Sequence, residues 1–307
     1  MKAFDFLNKP TYWFRPSRVF SRLSHWHGRG FEDVRVAWGA TLTCNTSESI
    51  GRAIWNQGVY DLVVSEAICR LLRVGGTAID VGANVGHMSG LMAKQAGPSG
   101  RVISFEPSSQ IRATLNRNVA RWAIDRRFAP ISIVASAASD HKGRHSLYYP
   151  TDVFLSNNGT ASMDEYWGGG KAIESEEIET TTLDDALSTE KGVIDVLKID
   201  VEGHEMGVLR GASGLLRTKK VTHIIFEDMG QYPSPVHRLL EDASYEVYRL
   251  ARSFVRIEAV APSDMSLYPI DVMPNYLATA EPQAVAREFS RWGWRALRPS
   301  FRNQRMY

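Results

Sequence analysis

TAIDVGANVGHMSG, from Thr77 to Gly90, reads as a short buried strand, a turn with two glycines and the start of a helix. The strand ends at Asp80. Gly82 can adopt a backbone conformation closed to other residues, and Gly86 lets a ligand or a strand approach the helix start. The first N–H groups of a helix have no partner within it. The stretch therefore predicts an α/β fold that binds a nucleotide-like ligand at a strand end.

The turn lacks the G-x-G-x-x-G spacing of NAD sites, because Asn84 stands at the second glycine position. This difference favours S-adenosylmethionine (SAM) over NAD. We predict that the cofactor contacts in this turn come from Asp80, Gly82, Ala83, Asn84 and Gly86.

Glu106 ends the second predicted strand and is followed by Pro107 and a new helix. An acid at this place in a doubly wound sheet can accept hydrogen bonds from both ribose hydroxyls. The alternative is a solvated carboxylate at a strand end. The combination with the glycine turn at the correct distance favours ribose binding.

From Thr77 onward, apolar strands alternate with helices. This pattern predicts a Rossmann-like α/β fold, with a mostly parallel sheet covered by helices on both faces. The predicted strands are 77–81, 102–106, 131–135, 193–199, 223–227, 246–250 and 275–280. Helices are predicted at 108–124 and at 47–73, the latter broken at Gly58, and partial alternation predicts a separate strand at 34–43.

Acidic residues follow the fourth strand of this series, in VIDVLKIDVEGHE at 193–205. In an open sheet of this kind the fourth strand lies beside the first, so its carboxyl end faces the crevice of the glycine turn. We predict that Asp200, Glu202 and His204 carry the chemistry and that Asp200 also contacts the cofactor. An alternative role for Glu202 and Glu205 is to complement a helix dipole.

The remaining acids and histidines give weaker signals. Glu227 and Asp228 follow the fifth strand and either line the same crevice or cap the strand end. The histidine pairs at 25 and 27 and at 141 and 145 lack convergent acidic partners in the sequence. No metal site is predicted from them.

The composition is that of an ordinary globular protein, with 44% hydrophobic and 23% charged residues and 36 basic against 34 acidic side chains. It excludes disordered and fibrous classes, and no nucleic-acid partner is expected. Cys44 and Cys69 are too few for a disulfide framework. Because neither a signal peptide nor an apolar run of bilayer length is visible, we expect a cytoplasmic protein.

Three parts of the chain are predicted: an N-terminal arm with a strand extension at 1–50, a SAM-binding domain at 51–285 and a basic tail at 286–307. The arm is rich in arginine and aromatic residues, which suits either packing on the domain or a peripheral membrane contact. Within the domain, residues 142–182 are polar and rich in glycine. We expect a long loop there that forms a lid on the substrate side.

Six motifs stand in one order: DVGANVG at 80–86, FEP at 105–107, TTTLDD at 180–185, DVLKIDVEGHE at 195–205, VLRGA at 208–212 and IFE at 225–227. Together they resemble the FkbM-type SAM-dependent methyltransferases, over about residues 51–280. The resemblance implies a class I methyltransferase fold, with a seven-stranded sheet whose last strand is antiparallel. It also implies O-methylation of a sugar, for example in a surface glycan, or of a polyketide-type product.

The resemblance further implies roles for single residues. The turn at 80–86 would cradle the methionine part of SAM, Glu106 would bind the ribose, and Asp200 would face the sulfonium and the acceptor. Many class I enzymes have an acidic or amide side chain after the third strand for adenine. Here that place reads ASAASD, so backbone groups near Ala137 are expected to contact the adenine.

We therefore expect in-line transfer of the SAM methyl to a hydroxyl, with Asp200 as the base and His204 or Glu202 as the next candidates. In an alternative that we do not predict, Asp200 and a neighbouring carboxylate hold Mg²⁺. Two other hypotheses are an NAD-dependent oxidoreductase or epimerase, and a nonenzymatic glycan- or membrane-binding module with a vestigial SAM pocket. Asn84 disfavours the first, and the intact acids at 80, 106 and 200 disfavour the second.

Overall fold

A large central sheet organises the protein, because its inner strands are apolar on both faces. The computed structural model describes residues 10–14, 30–149, 161–163, 174–230, 232–264 and 274–298. Within these residues the strands are β1 (Phe31–Arg35), β2 (Thr41–Asn45), β3 (Thr77–Val81), β4 (Arg101–Phe105), β5 (Ile131–Val134), β6 (Ala137–Ala138), β7 (Gly143–Tyr149), β8 (Glu174–Thr181), β9 (Ile194–Ile199), β10 (Val221–Glu227), β11 (Glu246–Arg252), β12 (Ile257–Val260) and β13 (Asn275–Thr279). The helices are α1 (Pro10–Phe14), α2 (Ser49–Gln57), α3 (Leu62–Leu71), α4 (His87–Ala96), α5 (Ser109–Ala123), α6 (Leu183–Ala186), α7 (Glu205–Arg210), α8 (Ser213–Arg217), α9 (Pro235–Asp242) and α10 (Pro282–Phe289).

The strand order of the main sheet is β12-β11-β13-β10-β9-β3-β4-β5. The run from β10 to β5 is parallel, whereas β13 lies antiparallel between β10 and β11. This order confirms the predicted α/β fold and its antiparallel last strand. It also places β9 beside β3, as predicted, so that their carboxyl ends meet at one edge of the sheet.

All seven strands predicted from residue 77 onward are present, but the sheet has eight strands where seven were expected. The additional strand, β12, pairs antiparallel with β11 at the edge of the sheet. It has four residues, and Ile257 is its one fully buried side chain. So short a segment gives little periodic signal, which explains why the sequence did not predict it.

The strand predicted at 34–43 is wrong, because this segment is the turn and flanks of a hairpin. β1 pairs with β2, and the intervening turn has Gly39 at φ +92° and a hydrogen bond from the Val36 N–H to the Ala40 carbonyl of 3.0 Å. The apolar residues in the turn are buried, and Trp38 is completely buried against Trp122 of α5. The periodic signal therefore came from packing of the turn and not from a continuous strand.

The long loop predicted at 142–182 is also wrong in its described parts. β7 and β8 form an antiparallel pair, and β6 joins β8 to complete a three-stranded sheet. β8 reads ESEEIETT, and its Ile178 is buried between exposed glutamates. The high charge of this strand concealed its alternation. The sequences SNNGT and GGG within this segment lie outside the described residues.

Helices cover both faces of the main sheet, as predicted. Successive residues of β3 point to opposite faces, so Ala78 packs in one core cluster and Ile79 in the other. The predicted helix at 108–124 is α5, whose N-cap Ser108 accepts a hydrogen bond from the Ile111 N–H. The predicted break at Gly58 is confirmed, with a left-handed φ of +75° at the end of α2.

The chain beyond the predicted domain boundary at 285 also packs on the domain, so its described part is not a free tail. α10 continues to Phe289, and Trp294 is completely buried. The buried Arg70 of α3 donates hydrogen bonds to the carbonyls of Glu288 and Gly293, at 2.5 and 2.6 Å. Among the described residues, no helix has the length and apolar character needed to span a bilayer.

Candidate active site

Two neighbouring pockets open at the carboxyl ends of the parallel strands. The first pocket, of about 590 Å³, is lined by Val81, Gly82, Asn84, Phe105, Glu106, Pro107, Ile111, Ala137, Ala138, Leu147, Ala161, Met163, Asp200, Val201, Glu202 and His204. The second pocket, of about 610 Å³, is lined by Glu202, Gly203, Glu205, Met206, Glu227, Asp228, Met229 and Val236. Glu202 lines both. The structure thus brings the predicted chemical residues to one edge of the sheet.

The glycine turn is fixed by its own hydrogen bonds. The N–H groups of Gly82 and Ala83 donate to the Phe105 carbonyl, at 3.1 and 3.0 Å, and the Asn84 N–H donates to Glu106 Oε2 at 2.8 Å. Asn84 has a left-handed φ of +52°, which asparagine tolerates better than most residues. These donors are engaged within the protein, so the turn contributes the shape of the pocket wall.

Each glycine of the turn permits a close approach within the protein. A Cβ on Gly82 would lie 1.9 Å from the backbone oxygen of Asp200, and φ there is +77°. A Cβ on Gly86 would lie 2.6 Å from Leu115 Cδ1 of α5. Gly86 therefore allows a helix to pack on the turn. Neither it nor Ala83 is among the residues that line the first pocket.

Glu106 is buried at the end of β4, and two backbone donors orient its carboxylate. Oε2 accepts from Asn84 and Oε1 accepts from the Ser108 N–H at 3.0 Å. Burial raises the pKa of Glu106 to about 7, although these hydrogen bonds favour the ionised form. A carboxylate has about four lone-pair sites, so Glu106 retains acceptors that can face the pocket.

Asp80 lies beneath the pocket and not on its wall. Its side chain is completely buried, and Oδ2 accepts a hydrogen bond from Ser89 Oγ at 2.5 Å. Lys198 Nζ of β9 lies 3.3 Å from Asp80 Oδ1 and 3.3 Å from Asp200 Oδ2. Burial disfavours the Lys198 ammonium, but Asp200 and Asp80 together raise its pKa above the ordinary lysine value. One cation therefore joins the two acids.

Sequence reasoning missed Lys198, although a signal was present. The segment VIDVLKID places one lysine within a strand whose residues from 194 to 199 are all buried. A buried lysine is rarely found without a partner of opposite charge. Its partners could not be identified without the pairing of β9 with β3.

The three predicted catalytic residues differ in position. Asp200 is partly exposed at 31% of its side chain and faces the first pocket, while Glu202 separates the pockets. His204 Nε2 lies 3.0 Å from Ser139 Oγ, and burial lowers the pKa of His204. Glu205 accepts from the N–H groups of Val201 and Gly203, at 3.3 and 3.2 Å, and so fixes the turn.

The second pocket is strongly acidic. Glu202, Glu205, Glu227 and Asp228 all line it, whereas no lysine or arginine stands among its described lining residues. Burial, followed by repulsion from Asp200 and Glu202, raises the pKa of Glu227 to about 9. Burial and the charge of Asp200 also raise the pKa of Tyr60, which lies between α2 and α3. Asp228 fits both alternatives, because it lines the pocket and its side chain also accepts from Ser234 Oγ and the Gly230 N–H.

The described part of the predicted lid lines the first pocket, on the side of the glycine turn. Leu147 of β7 belongs to this wall together with Ala161 and Met163. Ser162 Oγ donates to the Glu202 carbonyl at 2.8 Å. These residues thus line a pocket that holds both predicted cofactor residues and the predicted catalytic residues, and the substrate-side role of the insertion stays a prediction.

Metal-binding geometry is not found in the described residues, where no group of three or more His, Cys, Asp or Glu is suited to hold an ion. His141 Nδ1 pairs with Asp140 Oδ1 at 2.7 Å, and His145 Nδ1 lies 3.0 Å from the Ser146 carbonyl. His25 and His27 lie outside the described residues.

Comparison with known proteins identifies the family. The sequence profile of the methyltransferase FkbM domain matches residues 80–247, which include the glycine turn, Glu106, Asp200 and Glu227. The chain belongs to the FkbM methyltransferase family. This membership confirms the resemblance read from the motifs and overturns the alternative of an NAD-dependent oxidoreductase or epimerase.

Individual relatives of this FkbM-family protein are distant. It is 29% identical over 219 residues to the AMB antimetabolite synthetase AmbE of Pseudomonas aeruginosa, covering 61% of this chain and 10% of AmbE. It is 27% identical over 201 residues to the methyltransferase sdnD of Sordaria araneosa, covering 56% of this chain and 74% of sdnD. The chain thus spans about a tenth of AmbE.

A crystal structure of the methyltransferase FkbM from Methylobacillus flagellatus is also similar. The two chains are 15% identical with a TM-score of 0.38, over 66% of this chain and 43% of that one. At this score the likeness adds nothing to the fold that the strand order shows directly.

Proposed function

We propose that this FkbM-family protein is a SAM-dependent O-methyltransferase that acts on a hydroxyl of a sugar or of a polyketide-type product. The observation that carries the proposal is the meeting of the two pockets at Glu202, with Asp200 in the first and Glu227 in the second. A donor and an acceptor held in adjoining pockets can react without leaving the protein. The family membership supports methyl transfer as the reaction.

The first pocket fits SAM in its chemistry. The apolar side chains of Ile111, Ala137 and Leu147 suit an adenine ring. Glu106 is oriented by backbone N–H groups and keeps acceptors for the ribose hydroxyls. Asp200 supplies negative charge for a cationic sulfonium. Asp80, Ala83 and Gly86 would act from behind this wall by fixing the turn. SAM supplies an activated methyl group when bound, which leaves alignment, exclusion of water and proton removal to the protein.

The second pocket fits a hydroxylated acceptor that carries no negative charge. Its acidic side chains form hydrogen bonds with hydroxyl groups, and those that are ionised repel phosphates or carboxylates. Met206, Met229 and Val236 add an apolar wall, which suits the carbon face of a sugar or a polyketide. The relative AmbE is named as an antimetabolite synthetase. We therefore retain natural products, together with glycans, as candidate acceptors.

Asp200 is our proposed base. It lines the first pocket next to Glu202, and Lys198 fixes one of its oxygens. Glu227 is a weaker candidate, because a carboxyl with a pKa of about 9 is protonated at neutral pH and donates its proton in a hydrogen bond. His204 lies on the first pocket with Nε2 next to Ser139, so it is placed to support the wall.

Incubation of the purified chain with methyl-labelled SAM and fractionated cell-envelope glycans or natural-product extracts tests this proposal. We expect label in a product from which it is not released by mild base, as fits an ether and not an ester. Activity that survives EDTA would remove the alternative in which Asp200 and a neighbouring carboxylate hold Mg²⁺. Label in carboxylate esters or amines would contradict O-methylation of a hydroxyl, and no transfer to any fraction would favour a binding module.

A further inference from the structure

A surface formed by two separate chain segments and α1 exposes aromatic rings beside arginines. We call it the aromatic–arginine surface and define it as Trp13, Phe254, Arg256, Arg287, Arg291, Trp292, Arg295 and Arg298. The exposed fractions of Trp13, Phe254 and Trp292 are 60%, 38% and 76%. Most large apolar side chains in the described part of the chain are buried, so three exposed rings in one region need an explanation.

Direct contacts join the parts of this surface. The rings of Trp13 and Phe254 meet edge to face, with centroids 6.0 Å apart. The turn after β11 contacts the chain after α10, because the Gly293 N–H donates to the Val255 carbonyl at 2.8 Å. The buried Trp294 fixes the same turn through a hydrogen bond from Nε1 to the Phe254 carbonyl at 3.1 Å. These contacts fix the positions of the two segments that carry the exposed rings of Phe254 and Trp292.

The charge of the surface is strongly positive. Its five arginines face two glutamates: Glu288 pairs with Arg287, Arg291 and Arg295, and Glu258 pairs with Arg256. The side chains of Arg287 and Arg291 are 67% and 48% exposed. An excess of cations therefore surrounds the exposed rings.

We propose that the aromatic–arginine surface docks on an anionic lipid bilayer. Tryptophan favours the boundary between headgroups and acyl chains, and arginines near the bilayer are attracted to anionic headgroups. A nucleic-acid duplex would use the arginines at its phosphates, but its bases are already stacked on one another and would leave the rings without an apolar environment. A second copy of the chain on this surface would bring the arginines of the two copies together, and their like charges would repel one another. The combination of rings and cations therefore favours lipid.

The orientation of the sheet connects this surface to the pockets. β11 is parallel to β10 within the sheet, since both lie antiparallel to β13. The turn that carries Phe254 thus follows the carboxyl end of β11, and the corresponding end of β10 carries Glu227 and Asp228 of the second pocket. Docking through this turn brings the bilayer to the end of the sheet where the chemistry is proposed, although docking itself does not depend on that chemistry.

Co-sedimentation of the full chain with vesicles tests the proposal. The probes are phosphatidylcholine vesicles with and without phosphatidylglycerol, at low and high salt. We expect binding to the anionic vesicles, weakened by salt, and weak binding to the neutral ones. A contribution of about 1 kcal/mol for each basic side chain near the surface predicts about fivefold weaker binding for Arg291→Gln. Trp292→Ala should weaken binding to both kinds of vesicle.

Ile124→Ala with Arg126→Gln is the matched control. These residues are exposed after α5, on the opposite side of the sheet from β12. The control should bind like the wild type, and circular dichroism should show that all variants are folded. Equal affinity for neutral and anionic vesicles, or no binding by the wild type, would overturn the proposal. A dimer that Trp292→Ala dissociates, without any change in vesicle binding, would assign the surface to a second copy instead.

Discussion

Lys198 Nζ lies 3.3 Å from Asp200 Oδ2, and the same nitrogen lies 3.3 Å from the completely buried Asp80. The ammonium thus connects an acid in the protein interior to the acid at the first pocket. Because β9 pairs with β3, this connection runs across the two strands that form the active edge of the sheet. Removing the lysine should therefore affect both folding and methyl transfer.

Lys198→Met should lower the free energy of unfolding by about 3–5 kcal/mol, because it leaves the buried Asp80 charge without its partner. The double variant Lys198→Met with Asp80→Asn should recover much of this stability, since no charge is then left unpaired. It should not recover methyl transfer, because Asp200 still lacks the cation that fixes it. Urea unfolding and labelled-SAM assays measure the two effects. Recovery of full activity in the double variant would show that Lys198 acts on stability alone.

Asp200→Asn should reduce methyl transfer about a hundredfold or more, which is the usual effect of losing a general base. Its affinity for SAM should change much less, because the apolar wall and Glu106 remain. Asp185→Asn, at an exposed position in α6, is the control and should be fully active. Single-turnover rates and SAM titration separate the two steps. Full activity of Asp200→Asn with normal SAM affinity would transfer the role of base to Glu202.

Gly82→Ala should destabilise the protein by more than about 1 kcal/mol and weaken SAM binding, because φ is +77° and the new Cβ would lie 1.9 Å from the Asp200 carbonyl. Gly30→Ala is a matched control, since Gly30 has φ +95° but no atom within 4 Å of the added Cβ. The control carries the conformational strain without the clash. Thermal unfolding compares the two. Equal losses in both variants would assign the effect at Gly82 to strain alone.

The raised pKa of Glu227 leads us to expect that the free energy of unfolding depends on pH. Its folded pKa of about 9 lies above that of an unfolded glutamate, so the native state binds more protons between these values. The contribution of Glu227 is therefore fully present at low pH and is lost as pH rises towards about 9. Glu227→Gln cannot ionise, so its stability relative to wild type should increase as pH rises over this window. Denaturant unfolding at several pH values measures this difference, and a constant difference would contradict the assigned pKa.

Much of the fold followed from local sequence, because apolar strands that alternate with helices specify a covered parallel sheet. The glycine turn, Glu106 and Asp200 were placed at one edge because parallel strands end there together. The charged strand β8 was missed, since its glutamates hide a single buried Ile178. Its sheet partners β6 and β7 line the first pocket through Ala137, Ala138 and Leu147. That placement depends on contacts between distant segments, which no periodicity reports.

The site residues show the same division between local and nonlocal information. Gly86 was expected to let a ligand or a strand approach, but the atom nearest to an added Cβ belongs to Leu115 of α5. Lys198 and the separation into two pockets depend on strand pairing and on the path of the chain after β10. The sequence could indicate which residues are reactive, but their partners required the three-dimensional arrangement.

Calorimetric titration of SAM into the full chain and into Glu106→Ala tests the central claim most directly. The account predicts saturable binding at one site in the wild type, with a loss of about tenfold or more when the ribose acceptor is removed, and no comparable binding of NAD. Absence of SAM binding by the folded wild type, or unchanged affinity in Glu106→Ala, would contradict the assignment of the first pocket to the methyl donor.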